Sequence, residues 1–422
     1  MAHAVLRLFS HVKPGEAPIA LLMLLNLFLL LVGYYVLKTL REPLVLASGG
    51  AEMKAYAAAV QAVALMAFVP LYSWVAARVS RARLIAGLLL MFLASFQLFA
   101  AGVAAGWPYV GFIFFVWVGI FSLASIAQFW SYANDLYDVE AGQRLFPLVA
   151  IGATAGSPVG AKLAQVLFDR GASPQVLLHV ASLIIAAHIG LYWLIERRER
   201  HRGRTPAAPM PGAGGFQLVL HNPYLRWVAL ILLLLNLVNT TGEYILGRMV
   251  LGAAAGAPGS REAFIGSFYG QYFFGVNVAA VLLQAFAVSR IVKHAGTVGA
   301  VLMLPLVALG AYAAIGAGAG FALMRWIKTA ENATDYSVMN TGRQLLWLPT
   351  SREEKYKAKQ ALDTFIVRTG DLVAAALIFA ATTWLGLELR GFAWVNVGLA
   401  GLWILASIPL LRSFRRLCAD CP

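Results

Sequence analysis

Charge is scarce in this chain. Of its 422 residues only 12% are Asp, Glu, Lys or Arg, while 60% are hydrophobic and the mean hydropathy is +0.75. A soluble domain carries about 25% charged residues, so this surface cannot face water and a soluble enzyme is excluded. Disorder is excluded too, because it requires low hydrophobicity and dense charge. Cysteine is nearly absent: Cys418 and Cys421 form a single C-x-x-C in the C-terminal tail. That rules out a disulfide framework across the body, and without a second pair or a neighbouring His it argues against zinc. There is no G-x-x-x-x-G-K-[ST] and no strand-turn-helix glycine motif, hence no sign of ATP hydrolysis. We expect neither an enzyme nor a cofactor.

Acidic residues are the scarcer sign, 19 against 33 Lys plus Arg, for a formal charge of +14. In a soluble protein such an excess would point to nucleic acid. In a membrane protein it marks basic cytoplasmic loops, and no nucleic-acid partner is expected.

Long apolar runs are what the chain does have. They fall at about 17–40, 55–77, 84–105, 107–135, 145–168, 174–195, 226–250, 264–290, 297–319, 321–346, 361–386 and 391–411. At about 20 residues per span, these predict twelve transmembrane helices. The first run is too long for a signal-peptide core and is expected to remain as the first helix. The hydrophilic stretch 196–225 carries five arginines and then TPAAPMPGAGG, a linker between an N-terminal half, 1–195, and a C-terminal half, 226–422. Basic residues gather in loops of one parity, from Arg7 and Lys13 through Arg78, Arg83 and Arg144 to Arg290, Lys293 and Arg412. Positive loops face the cytoplasm, so both termini and the linker are expected inside, in the inner (plasma) membrane.

The halves repeat. Leu25-Asn26-Leu27 recurs as Leu235-Asn236-Leu237, and Gly33-Tyr34-Tyr35-Val36-Leu37 matches Gly242-Glu243-Tyr244-Ile245-Leu246. Two six-helix pseudo-repeats joined by a basic linker predict an all-α, major-facilitator-like fold with its site near mid-membrane. The ladder Gly152, Gly156, Gly160 reads as close helix approach.

Ionisable residues within spans are expensive and face a wet interior or one another. At 100° per residue, Arg325, Lys328, Asn332, Asp335 and Arg343 of the tenth run fall within about an 80° arc, with Glu331 beside it. The stripe admits two readings: an ion-pair ladder, Arg325 and Lys328 against Glu331 and Asp335, or a ligand-facing set. Tyr34, Lys38 and Arg41 share a face of the first run, either as a helix end capped by Glu42 or as substrate ligands. Asn236, Asn239 and Glu243 form a stripe on the seventh, with Glu243 either paired or a proton site. A cavity lined by Lys38, Arg41, Lys328 and Arg343 favours an anion, and Arg suits phosphate through its planar fork. Tyr34, Tyr35, Phe129, Trp130 and Tyr336 offer aromatic surface for a base, or are core and belt residues.

The segments YYVLKTLREPLV (34–45), FWSYANDLYDVEAGQRLFPLVAIGA (129–153), NPYLRWVALILLLLNLV (222–238) and TDYSVMNTGRQLLWLPTSREEKYKAKQALDTF (334–365) carry a resemblance over essentially the whole chain. It resembles the ATP/ADP antiporters of plastids and intracellular bacteria, with their relatives in free-living bacteria. The resemblance implies a major-facilitator-like fold and nucleotide exchange without hydrolysis. It also implies two lysines, on helices one and ten, and two glutamates, on helices four and seven, around the nucleotide. Arg41 and Arg343 stand at the lysine positions, and Val118 and Asn239 at the glutamate positions. The expected substrate-binding set is therefore Tyr34, Lys38, Arg41, Asn239, Glu243, Lys328, Asn332, Asp335 and Arg343. The expected partners are a small anionic metabolite, a nucleotide foremost, and the lipid bilayer, with the protein a monomer. The competing readings are a proton-coupled carrier of another solute, titrating at Glu243, Asp335 or Asp371, and a non-transporting membrane receptor or assembly partner.

Overall fold

In a computed structural model, residues 13, 16–76, 78–79, 81–137, 139–199, 215–351, 354 and 358–419 are described. Most of the linker, 200–214, lies outside them, as do Arg7, Cys421 and much of the basic run 352–357. Among the described residues helix is the regular structure, joined by short turns, as a chain with no water to bond its backbone requires. They form α1 (Ala17–Ala76), α2 (Arg81–Ala104), α3 (Val110–Leu136), α4 (Val139–Asp169), α5 (Pro174–Glu199), α6 (Gly215–His221), α7 (Pro223–Ala255), α8 (Arg261–Leu282) and α9 (Val288–Gly316). α10 (Phe321–Thr334), α11 (Asn340–Leu345), α12 (Lys359–Ala361), α13 (Val367–Thr383) and α14 (Leu389–Ala419) follow. Among the described residues seven helical stretches are long and apolar enough to cross a membrane, two of them 56 residues long. Each of those two is broken by one glycine, Gly50 at φ 77° and Gly296 at φ 62°. Only glycine takes such a conformation without steric cost, so each marks a kink where one helix ends and the next begins.

Gly50 moves the end of the first crossing. The apolar run stops near residue 40, whereas the helix continues to the kink at Gly50, about two turns past Arg41. Lys38 and Arg41 are thus not terminal caps. π turns at Leu283–Ala287, Asp335–Met339 and Leu362–Ile366 join α8 to α9, α10 to α11 and α12 to α13. Each adds a residue to a turn and is frequent at functional sites.

Among the described residues the chain forms two compact units. Unit 1 draws on Met1–Ser48, Ala67–Pro209 and Pro258–Phe274, and unit 2 on Gly49–Met66, Met210–Ala257 and Gly275–Pro422. Each half of the sequence therefore lends one stretch to the other's unit.

Inside unit 1 the glycine ladder does what its spacing predicts. A Cβ on Gly152, Gly156 or Gly160 would fall against the carbonyl oxygens of Leu24, Phe28 and Val32 respectively. α4 and the first arm of α1 thus meet backbone to backbone along three turns. Asn26 locks the same arm to α5: its Nδ2 donates to the His188 carbonyl at 2.9 Å, and the His188 ring meets the Asn26 carbonyl at 3.1 Å. At the start of α1, Arg144 donates both guanidinium nitrogens to Glu16, each at 3.0 Å. That fork holds the Glu16 carboxyl below the usual carboxylate range.

In unit 2, Asn222 caps α7 by accepting from the Tyr224 amide at 2.9 Å, and Pro223 follows it at the first helical position. Asn236, the repeat partner of Asn26, donates to Val367 O at 2.6 Å and to Asp371 at 2.8 Å. Gly370 makes room for it: a Cβ there would sit 2.8 Å from Asn236 Cβ. The two repeated asparagines thus fasten their helices to non-equivalent neighbours.

Candidate functional site

The densest buried polar cluster described lies in unit 2, on α7, α9 and α10 and the stretch 49–66. Lys328 Nζ donates to Glu331 Oε2 at 2.8 Å, one turn apart on α10, with Lys328 fully buried. Tyr312 on α9 donates to both Glu331 oxygens at 2.9 and 3.0 Å, and Lys328 reaches its hydroxyl at 3.2 Å. Gly242 on α7 is what admits this cluster, since a Cβ there would collide with the Tyr312 hydroxyl and lie 2.9 Å from Lys328 Nζ. Its repeat partner Gly33 serves Ile185 of unit 1 in the same way, at 2.8 Å.

Glu243 stands next to Gly242. It accepts from Lys54 Nζ at 3.2 Å and from Asn332 Nδ2 at 3.3 Å. The next residue of α7, Tyr244, donates to Glu52 at 2.8 Å, and Arg248, one turn beyond it, donates to the same oxygen at 2.7 Å. A narrow cleft with about 10 Å³ of open space beside the cluster is lined by Asn239, Glu331, Asn332, Asp335, Leu304 and Trp403, among others. That holds about one water; metabolite sites run to about 300–1,000 Å³, so a ligand here requires the cleft to widen. A second buried carboxylate, Asp371 on α13, accepts from Asn236, from Thr240 at 2.9 Å and from Arg368 at 3.3 Å.

The expected site residues are divided between the units. Unit 2 brings Glu243, Lys328 and Asn332 into one cluster, with Asn239 and Asp335 on the adjoining cleft. The ion-pair reading of the α10 stripe holds for Lys328, which Glu331 neutralises. Arg343 carries a carboxylate as well, Asp363 at 2.9 Å. A regular helical register does not reach Arg343, because the π turn Asp335–Met339 intervenes and rotates everything beyond it. In unit 1, Arg41 pairs with Glu42 at 3.1 Å and lies over the Phe115 ring. Lys38 lies 4.5 Å from the Phe273 centroid and 5.0 Å from that of Tyr35, whose ring meets Tyr34 edge-on. Val118 is buried core. The cationic set is therefore largely compensated by acids, rather than a bare positive surface.

Glu52, Lys54, Tyr244 and Tyr312 were not in the sequence-derived set. Lys54 and Glu52 precede an apolar run and look like ordinary interfacial charges there. Tyr312 is a lone phenol in an apolar helix; its one sequence signal is the glycine opposite, Gly242. Among the described residues no group of three or more His, Cys, Asp and Glu is placed to hold a metal.

Residues 6–105 match the sequence model of the TLC ATP/ADP transporter family. The chain is 21% identical over 289 residues to ADP,ATP carrier protein 1 of Chlamydia trachomatis, covering 58% of this chain and 53% of that protein. It is 21% identical over 343 residues to the protein of the same name from Chlamydia muridarum, covering 68% and 62%. The matches thus span between half and two thirds of those relatives. The fold is shared with solved transporters. These include a bacterial homologue of the iron transporter ferroportin (TM-score 0.70, 15% identity, 93% of this chain and 98% of that one). The nucleoside transporter NupG scores 0.67 at 13% identity, covering 93% and 99%, and the POT family transporter PepTSo 0.67 at 14%, covering 97% and 100%. The likeness to ATP/ADP transporters thus lies in residues 6–105 and in carrier relatives 21% identical, and the likeness to the solved structures lies in the fold.

Proposed function

We propose that the chain is a secondary transporter that exchanges an anionic metabolite, most directly a nucleotide, across the inner membrane by alternating access. One observation carries the reading: Lys54, Glu243 and Tyr312, on stretches apolar enough to span a bilayer, gather with Lys328 and Glu331 of α10 in a buried cluster beside a cleft. Charge at that depth is retained where it meets a pathway or a ligand. The named carriers among its relatives supply the nucleotide. The residues proposed to contact substrate are Tyr34, Lys38 and Arg41 within unit 1 and, separately, Asn239, Glu243, Lys328, Asn332, Asp335 and Arg343 within unit 2. Compensation by acids fits exchange, because an empty carrier with paired cations must trade those pairs for substrate oxygens.

Counterflow into proteoliposomes tests it. Labelled ADP is expected to accumulate faster in vesicles preloaded with ADP or ATP than in buffer-filled ones. Equal uptake into both overturns the exchange reading. Buried Asp371 favours a second reading, proton-coupled carriage, which predicts uptake driven by an imposed pH gradient.

The proposed topology is twelve crossings in two halves joined by the linker 196–225, monomeric, with both termini cytoplasmic. Reporter fusions after residues 105 and 210 are expected to read outside and inside respectively; the reverse pattern removes the topology.

A further inference from the structure

The stretch 49–66 belongs by sequence to the first half but is part of unit 2. It is held there by charge. Directly after the kink at Gly50, Glu52 and Lys54 meet α7 in opposite senses: the acid meets Arg248 and Tyr244, the ammonium meets Glu243. Reversing one of these charges places like beside like, so the pattern also fixes the register of the contact. Further along, Tyr56 lies against Phe379, ring centroids 6.4 Å apart. The two clasps differ in burial. Arg248 and Glu52 are partly exposed, while Lys54 is buried.

A buried ammonium gains most from an anion within reach, and Glu243 accepts from Lys54 in this structure. The two oxygens of Glu243 have different neighbours: Oε2 accepts from Lys54, and Oε1 from Asn332, which lines the cleft. A ligand contacting Asn332 is therefore one side chain away from the clasp. A phosphate and a carboxylate recognise an ammonium by the same charge-assisted bond, and a phosphate brings more negative charge to it.

We propose that Lys54 is a positioning residue that clasps the 49–66 stretch to α7 through Glu243, and that an anionic group reaching Asn332 as the cleft widens opens the clasp by competing for its ammonium. This rests on the anion-transport reading for the identity of the competitor. The clasp itself does not depend on it. Binding at the cleft would thereby be coupled to release of a helix, the step an alternating-access carrier needs.

The test is thiol labelling in a Cys418→Ser, Cys421→Ser background carrying Ala55→Cys, a position buried in this structure. Without ligand, the thiol at position 55 is expected to react slowly with a water-soluble maleimide. With Lys54→Gln added it is expected to react at least tenfold faster, and the exchanged pair Lys54→Glu with Glu243→Lys is expected to restore protection. Labelling of Lys54→Gln at the parental rate overturns the clasp. In the protein with Lys54 intact, ADP or inorganic phosphate is expected to raise the labelling rate saturably, and adenosine to leave it unchanged. Equal rates with and without the two anions overturn the competition, even if the exchanged pair does not fold. A clasp that opens in Lys54→Gln while counterflow shows no nucleotide exchange would sink the functional reading and leave the clasp standing.

Discussion

Glu331→Leu is expected to lose most of its folded yield, or to unfold on the order of 10 °C lower, while Glu331→Leu with Lys328→Met and Tyr312→Phe recovers. Lys328 is fully buried and Glu331 nearly so. Removing one partner of a buried ion pair costs about 3–5 kcal/mol, because the other charge is left without compensation. At about 2–4 °C per kcal/mol for an element of this size, that loss is large enough to read in a thermal melt in detergent. Tyr312 would lose its acceptor as well, since its hydroxyl bonds both Glu331 oxygens. Replacing the whole set by apolar side chains of similar volume removes every orphaned group at once, which is often neutral or stabilising. A single Glu331→Leu variant that melts with the wild type contradicts the buried pair. The triple variant is also informative for function. If it folds and no longer transports, the cluster serves the substrate pathway and not stability.

Gly156→Leu is expected to disrupt unit 1, whereas Gly190→Leu on α5 leaves it intact. At Gly156 the space a Cβ needs is already filled by the Phe28 carbonyl oxygen and by Leu31 Cβ, 3.1 Å away. Overpacking of a flexible core costs about 1–3 kcal/mol. Here the obstruction is helix backbone, which cannot rotate aside, so α4 and the first arm of α1 must separate and Gly152 and Gly160 lose their contacts too. Nothing lies within 4 Å of a Cβ at Gly190, which makes it the control for hydrophobic substitution as such. Monodisperse elution of both variants from a size-exclusion column would refute the backbone-to-backbone packing.

The features legible along the chain are those set by local composition and by helical period. Sixty per cent hydrophobic residues with 12% charge leave only a bilayer as solvent. Small residues four apart announce that a helix is approached closely, and Gly152, Gly156 and Gly160 are. Lys328 and Glu331 lie three apart, so one turn of α10 brings them together whatever the rest of the fold does. Glycine at 33 and 242 marks the repeat in the sequence itself, and each faces a side chain in the fold.

Other features depend on which distant helix arrives. Lys54 and Glu243 are 189 positions apart, and Glu52 and Arg248 are 196 apart; no period or spacing encodes such a pair. The same pair of asparagines, 26 and 236, became a clamp on α5 in one unit and on α13 in the other. Arg343 drops out of the α10 register because a π turn adds a residue at Asp335–Met339, a choice made by packing and invisible to a fixed 100° step. Most consequential is charge. Along the chain the cations outnumber the acids and predict a positive cavity. In the fold, Glu331, Asp363, Glu42 and Glu243 each reach a cation, because a lone charge in a low-dielectric interior is too costly to leave without its opposite.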